Sequence, residues 1–317
     1  MSAFFTVTKK ELQDHFNSWR FLVLLFVMIA AIVYVFLAVG VIRSNSSSGT
    51  QFIFLSLFTT QAISTTSSLI PSSFMSLMAT LLPIAAIILG LDAINSERNG
   101  GTLGRLVSQP IYRDNIINAK FLAGIITLAV VILTTVLLSA GLGLKMLGVA
   151  PGAEEILRLI VFVMVAIVYS AFWLGLAILF STLFKQVAVS SIISIAVWLF
   201  FVFFYPIIFQ MIANGMTAAT QADAIHNANS LILLSRLSPI QLFNENMAVI
   251  LVPVTRSSSQ LLQLITTDAG NYFVANPLSL GQSIISIWPQ LIITILLTTV
   301  CFAISYVKFM FEEIRAI

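Results

Sequence analysis

The chain has 317 residues, of which 59% are hydrophobic and only 9% are charged, whereas a soluble globular domain carries about 25% charged residues. This composition excludes an ordinary soluble domain and predicts a membrane protein. The formal net charge is +3, and the basic residues form no clustered face of the kind that nucleic-acid binding requires. We therefore expect no nucleic-acid partner.

The first twenty residues have the pattern of an amphipathic helix. Phe5, Leu12, Phe16 and Trp19 recur at helical spacing and form one apolar stripe. Such a helix can lie in the plane of the lipid headgroups, with a tryptophan at the interface. We therefore predict an interfacial helix over residues 1–20. The alternative is a soluble extension of the first membrane span.

Six apolar blocks follow, and each is long enough to cross a bilayer, which takes about 20 apolar residues. The predicted spans are 21–42, 74–94, 115–147, 157–184, 187–212 and 284–307. So many runs of this length in one chain favour membrane spans over the buried core helices of a soluble protein. We predict an all-α polytopic membrane protein, with residues 1–317 forming a single membrane domain.

Lysine and arginine are distributed unevenly between the two sides of the predicted bundle. An even number of spans places both termini on the same side as the loop 96–114, and these short segments hold most of the Lys and Arg. The positive-inside rule then assigns this side to the cytoplasm. We predict a multi-pass protein of the cell (cytoplasmic) membrane with both termini in the cytoplasm and the bilayer as its solvent.

The longest segment between two spans is 214–283, between the fifth and the sixth. A structureless loop of this length is uncommon in a compact domain. We therefore predict a folded, helical extracytoplasmic cap, or helices that dip into the outer leaflet.

The loop 96–114 has a pattern of its own. Gly100 and Gly101 interrupt the preceding helix, and Pro110 ends whatever helix follows. Between them, Thr102–Ser108 can form a short helix whose apolar residues share one face: Leu103, Leu106 and Val107. An apolar face held below the membrane needs a partner. The alternative is a solvated basic loop that only sets the topology.

This loop resembles the signature of type-2 ABC transporter permeases. The matching residues are Glu97-Arg98, Gly101-Thr102-Leu103, Ser108-Gln109-Pro110, Arg113 and Lys120. The KKEL stretch before the first span, the six spans and SPIQLF before the last span also resemble this family. The subgroup it is most similar to contains the compact permeases of nitrous-oxide-reductase maturation systems.

The resemblance implies that Thr102–Ser108 is a coupling helix that docks in a groove of a separate ABC ATPase subunit. The residues to which it assigns the coupling role are Glu97, Arg98, Gly101, Thr102, Leu103, Arg105, Leu106, Val107 and Arg113. It also implies a second permease copy or a paralogue as partner, with ATP and Mg²⁺ on the ATPase and no cofactor in this chain. The sequence has no G-x-x-x-x-G-K-[ST] phosphate-binding loop, so we expect no ATPase activity here.

Three functions stay open at this point. The first is export of an amphipathic or hydrophobic solute, because the span interiors carry almost no charge. The second is mechanical transmission of the ATPase motion to an extracytoplasmic or lipid-anchored protein, without solute transport. The third is an intramembrane enzyme, against which the lack of paired catalytic groups at membrane depth argues. We predict no catalytic residues, and no metal site, since His15 and His226 fall on opposite sides of the membrane.

Overall fold

The computed structural model of the chain describes residues 3–43, 54, 55, 58, 73–101, 112–148, 150–216, 221–251 and 278–311. Nearly all of these residues are helical, and the described ranges contain no strand. The prediction of an all-α polytopic membrane protein is therefore confirmed.

Eleven α-helices lie within the described residues. Those that the structure describes are α1 (Ala3–Asn17), α2 (Trp19–Arg43), α3 (Phe74–Gly90), α4 (Asn95–Asn99), α5 (Arg113–Leu147), α6 (Ala153–Leu183), α7 (Val187–Leu199), α8 (Tyr205–Gly215), α9 (Gln221–Ser235), α10 (Pro239–Leu251) and α11 (Leu280–Met310).

Within the described residues, five helical segments are long and apolar enough to cross a membrane. They are Phe74–Asn99, Arg113–Met146, Ala153–Leu183, Val187–Gly215 and Leu280–Met310. A sixth is added if α1 and α2, whose axes meet at 61°, are taken as one bent span. This bend turns α1 away from the direction of α2. The placement of α1 in the headgroup plane stays a prediction.

Side-chain caps fix where several of these helices begin. Ser73 and Ser76 form a reciprocal capping box at the start of α3, and the carboxylate of Glu155 accepts the N–H of Gly152 at 2.8 Å before α6. These bonds satisfy backbone donors that the helix itself leaves unpaired. Between α7 and α8 the helix widens into a π-helical turn at Phe200–Phe204. Pro206 lies two residues after this turn and has no N–H for the carbonyl of Val202, which is in the turn.

Helix α6 lies at the centre of the bundle and packs against α3, α5, α7, α10 and α11. Two glycines allow α3 and α5 to approach it closely. A Cβ atom at Gly90 would lie 2.7 Å from the Cβ of Ala177, and one at Gly124 would lie 2.7 Å from a methyl carbon of Leu174. Larger side chains at these two positions would therefore separate the helices.

Two ends of the bundle are distinguished below. The basal end is the one that holds α1, α4 and the start of α5. The distal end is the opposite one, where α6 and α11 begin. If the predicted orientation is adopted, the basal end is cytoplasmic.

Helix α10 lies inside the bundle at the distal half, packed against α3, α6 and α11. The ring of Phe243 stacks on that of Tyr169 at 4.2 Å, and the Tyr169 hydroxyl donates to the carbonyl of Ala79 at 2.8 Å. Nearer the distal end, Arg158 donates to the carbonyl of Ile250 at 3.0 Å. Because Arg158 and Tyr169 are about 16 Å apart along α6 at 1.5 Å per residue, α10 runs from the interior of the bundle towards its distal end.

Helix α9 precedes α10 and contacts α8, where the Tyr205 hydroxyl donates to the carbonyl of Leu234. A short turn then joins α9 to α10, and a two-point ion pair closes it. The Arg236 guanidinium contacts both carboxylate oxygens of Glu245, at 2.8 and 3.1 Å. Helix α9 thus packs on α8, whereas α10 is buried against α3, α6 and α11. Residues 217–220 and 252–277 of the predicted cap lie outside the described residues, and the side of the membrane that α9 and α10 face stays a prediction.

Candidate functional site

Helix α4 carries the first of the predicted coupling residues and is held firmly against the bundle. The hydroxyl of Ser181, on α6, accepts the N–H groups of Ile94 and Asn95 at 3.1 and 3.2 Å. These are backbone donors at the start of α4 that would otherwise be unpaired. Ser190, on α7, donates to the carbonyl of Leu91 at 3.2 Å. The connection from α3 to α4 is therefore anchored to two other helices.

Glu97 makes the central contact of the site. The ammonium group of Lys120, on α5, lies 2.8 Å from a carboxylate oxygen of Glu97 and 2.9 Å from one of Glu11, on α1. The Lys120 side chain is only 6% exposed, and both carboxylates are largely buried. One cation thus joins α1, α4 and α5. Removing one partner of a buried charge pair costs about 3–5 kcal/mol, because the other charge stays buried without compensation.

Arg98 points towards the end of α6. Its guanidinium donates to the side-chain oxygen of Asn95 at 3.2 Å and, in a longer contact, to the carbonyl of Phe184 at 3.5 Å. Asn95 itself is fully buried. The arginine therefore extends the anchoring of α4 to the residue that follows α6.

Gly101 ends the described part of this segment. Its φ is +65°, in the left-handed region where a glycine meets no steric penalty. The five predicted coupling residues that follow lie outside the described residues: Thr102, Leu103, Arg105, Leu106 and Val107. Arg113 is the first residue of α5. The described coupling residues therefore bracket the predicted coupling helix from both sides.

A small apolar cluster fixes the same region from the other side. Ile94, Ile116, Ile117 and Phe309 pack together and are all fully buried. They come from the start of α4, the first turns of α5 and the end of α11. The segments immediately before and after the predicted coupling loop are thus packed against each other and against the last helix.

A polar cleft of about 660 Å³ opens at the basal end, between α1, α3, α4 and α5. It is lined by four carboxylates (Glu11, Asp14, Asp92 and Glu97) and three cations (Lys10, Arg20 and Lys120). His15 also lines it, and burial lowers the pKa of this imidazole, with nearby Lys120 acting in the same direction and Glu11 opposing it. Among the described residues, no group of three His, Cys, Asp or Glu side chains could hold a metal ion.

Two residues of this site were not among the predicted coupling residues, although both belong to the stretches that carried the resemblance. Glu11 belongs to the KKEL stretch and Lys120 ends the loop pattern. A lysine followed directly by a long apolar run is itself a signal, because a charge at membrane depth is expected to face protein and to be paired. Its partners could not have been identified, since Glu11 lies more than a hundred residues away.

Comparison with known proteins gives a match over nearly the whole chain. A family model described as ABC-2 family transporter protein matches residues 5–314. A relative from Pseudomonas aeruginosa, named "Probable ABC transporter permease protein NosY", is 26% identical over 211 residues, which are 65% of this chain and 70% of that protein. A protein of the same name from Stutzerimonas stutzeri is 30% identical over 134 residues, or 42% of each chain.

Proposed function

This chain belongs to the ABC-2 family of transporter proteins and is a permease subunit of an ABC transporter, and we propose that it couples ATP hydrolysis on a separate ATPase subunit to export of an amphipathic or hydrophobic solute. The family implies the ATPase partner, and its permeases are typically membrane subunits without enzymatic activity. In this proposal ATP and Mg²⁺ are bound by the ATPase. The chain itself contributes the docking segment and the moving helices.

The observation that carries the coupling part of this proposal is the position of Lys120 between Glu11 and Glu97. A force applied to the loop 102–111 acts first on the two segments that flank it, α4 and the start of α5. The buried ion pairs link those segments to each other and to α1, while Ser181 links α4 to α6. Because breaking such a pair costs several kcal/mol, these helices should move together when the ATPase closes.

Hydrogen exchange of the permease–ATPase complex, measured by mass spectrometry with and without ATP, tests this linkage. In the wild-type complex we expect ATP to change exchange at the basal end and also in α10. In Lys120→Met we expect the ATPase to bind as before. The change in hydrogen exchange caused by ATP should then be confined to the basal end. Lys145→Met, at the other end of the same helix, is the matched control and should behave as wild type. A normal response of α10 in Lys120→Met would overturn the proposed linkage.

Docking of the ATPase on the loop needs its own test. Leu106→Asp places a charge on the apolar face that is proposed to enter the ATPase groove, and an unpaired charge buried there costs several kcal/mol. We expect this variant to insert into the membrane normally and to lose at least nine tenths of the ATPase in a pull-down. Leu106→Met keeps the apolar face and should retain it. Full ATPase recovery with Leu106→Asp would rule out docking at this residue.

The second permease copy is proposed to cover the most exposed span. Only 6% of the most apolar part of Val187–Gly215 is buried within the chain, against 67% for α6. A second copy, or a paralogue, would cover part of that surface, and lipid would cover the remainder. Disulfide crosslinking of single cysteines on α7 and α8 in a Cys301→Ala background tests this. No crosslinking at any position on α7 or α8 would place the interface elsewhere.

Mechanical transmission without solute transport is the second candidate function. The buried helix α10 supports it, because α10 connects α6 to the distal end. Phe243 and Ile250 connect α10 to α6 at two levels, so motion of α6 reaches the distal end directly. A photo-crosslinking residue at Ala150, which is exposed at that end, should then capture an extracytoplasmic or lipid-anchored protein in cells. The same residue at Lys185, exposed at the basal end, is the control. Capture of no protein from Ala150 would count against this function.

A further inference from the structure

A second cavity lies beside the polar cleft, between α2 and α3. It is an apolar groove of about 380 Å³, lined almost entirely by hydrocarbon side chains such as Val23, Val27 and Ile84. Arg20 and Ile88 line both this groove and the polar cleft. The two spaces therefore meet at Arg20 and together form one amphipathic site, with a charged compartment and an apolar compartment.

The length of the groove corresponds to one leaflet of a bilayer. Its lining on α2 extends from Trp19 to Met28, which is about 13 Å at 1.5 Å per residue. Half of a hydrocarbon core of about 30 Å is about 15 Å. Trp19 is exposed at the basal rim, and tryptophans of membrane proteins concentrate at headgroup depth. If α2 crosses the membrane as predicted, Trp19 and the junction at Arg20 lie at headgroup depth and the groove lies beside the acyl chains.

The charges at the junction indicate which headgroup fits. Arg20 pairs with Asp92, and the contact uses one of its terminal nitrogens, while the side chain is 56% exposed. A guanidinium has five N–H donors in a planar arrangement suited to phosphate. Four of the seven charged residues that line the cleft are carboxylates; each lies within 4 Å of Lys10, Arg20 or Lys120, and the cleft has one more negative than positive side chain. A headgroup ammonium would share Asp92 with Arg20, while the other nitrogens of Arg20 can donate to an anion. A headgroup with both a phosphate and a primary ammonium matches both features.

We infer that this amphipathic site binds a phospholipid of the basal leaflet whose headgroup carries a phosphate and a primary ammonium. The phosphate contacts Arg20, the ammonium contacts the carboxylates beside it, with Asp92 nearest the junction, and one acyl chain lies in the groove between α2 and α3. The cleft shares Glu97 and Lys120 with the proposed coupling segment, but the lipid contacts assigned here are those of Arg20, Asp92 and the groove, and lipid binding is measured without nucleotide or ATPase. Its failure would therefore leave the proposed coupling function untouched.

The test is native mass spectrometry of the delipidated full-length chain in detergent, titrated with palmitoyl-oleoyl phosphatidylethanolamine, phosphatidylcholine and phosphatidylglycerol. We expect the ethanolamine lipid to bind about tenfold more tightly than the other two, which is the ratio given by one additional hydrogen bond between charged groups. The choline headgroup cannot donate that bond, and the glycerol headgroup has no cation. Equal binding of all three lipids would overturn the assigned headgroup.

Groove-filling variants test the acyl-chain compartment. Val27→Trp, and independently Val23→Trp, fill the groove from positions that are already partly exposed, so the fold should tolerate them. Both should lose at least tenfold in affinity for the ethanolamine lipid. Val33→Trp, on the same helix but not lining the groove, is the matched control and should bind as wild type. Equal affinities of Val27→Trp, Val23→Trp and Val33→Trp would overturn the assigned groove.

Two further experiments test the contributions of the headgroup and of the acyl chains separately. Asp92→Asn should remove the preference for ethanolamine over choline while leaving the phosphate contact of Arg20 in place. Glycerophosphoethanolamine, which has the headgroup but no acyl chains, should fail to compete at millimolar concentration. If it displaces the lipid completely, the site recognises a soluble phosphate ester and the groove has no part in binding.

Discussion

The two ends of this bundle each contain a buried cation, and the partners of the two cations are of different kinds. At the basal end, Lys120 contacts two carboxylates on two other helices. At the distal end, Arg158, which is 1% exposed, donates to the carbonyls of Ile250 and Leu278 and to the hydroxyl of Ser283. It also pairs with the carboxylate of Glu154, which lies one turn away on the same helix.

The difference indicates two kinds of connection. The planar guanidinium of Arg158 donates to several acceptors at once, and it holds the end of α10 and the residues before α11 at fixed positions. The compact ammonium of Lys120 acts mainly as a charge between two opposite charges. The distal end is thus held by directional hydrogen bonds to the backbone, whereas the basal end is held by ion pairs between helices. The four predictions that follow test this contrast.

The largest expected effect is that of Arg158→Met. This change leaves two carbonyls and a hydroxyl at the distal end without their donor, and such a loss in a buried network costs about 3–5 kcal/mol. We expect the midpoint of thermal unfolding in detergent to fall by several degrees. Arg158→Lys keeps the charge but cannot reach all three acceptors, so its midpoint should lie between those of Arg158→Met and wild type. An Arg158→Lys variant as stable as wild type would show that charge alone is sufficient there.

Lys120→Met should have the next largest effect on stability. Glu11 and Glu97 would then lie close together while largely buried, which we expect to cost about 3 kcal/mol. The double variant Lys120→Met, Glu97→Gln removes one of the two negative charges and should recover part of the loss. Unfolding midpoints of the two variants and of wild type measure this. No recovery in the double variant would mean that Lys120 stabilises the basal end by packing and not by charge.

Gly90→Val tests whether the basal end depends on close helix packing as well as on charge. The added Cβ would lie 2.7 Å from the Cβ of Ala177, and overpacking of this kind costs about 1–3 kcal/mol. Gly141→Val is the matched control, because a Cβ at Gly141 meets no atom within 4 Å. We expect Gly90→Val to lower the unfolding midpoint and Gly141→Val to leave it nearly unchanged. Equal midpoints would show that α3 and α6 can separate at no cost.

Ser181→Ala is expected to have the smallest effect. It removes the acceptor for the N–H groups of Ile94 and Asn95, and the loss of such a cap costs about 1 kcal/mol. Faster hydrogen exchange in α4, with little change elsewhere, is the measurement that checks it. Ser191→Ala removes a hydroxyl that bonds only within its own helix and should leave α4 unaffected. If both variants exchange alike, Ser181 does not anchor α4.

Long apolar blocks of the sequence coincide with helices in the described residues. The block that was expected to begin at residue 187 corresponds to a helix that begins at Val187, and the third predicted span lies within α5. Hydrophobic length suffices for this because lipid contains no partner for an unpaired backbone group, so a long apolar run has to form a helix. The buried position of α10 was harder to anticipate, since a segment of 13 residues is too short to span a bilayer.

The candidate site, like the fold, could be predicted from the sequence only in part. Sequence alone determined that charged residues gather around the loop 96–114 and that both glycines interrupt the helix there. Only the tertiary structure decided that Lys120 pairs with Glu97 and Glu11, and that Arg20 and Ile88 join a polar cleft to an apolar groove. The physical reason is that the free energy of crossing a membrane depends on the composition of each segment by itself. A pairing of buried charges depends instead on which helices the packing of α6 brings together.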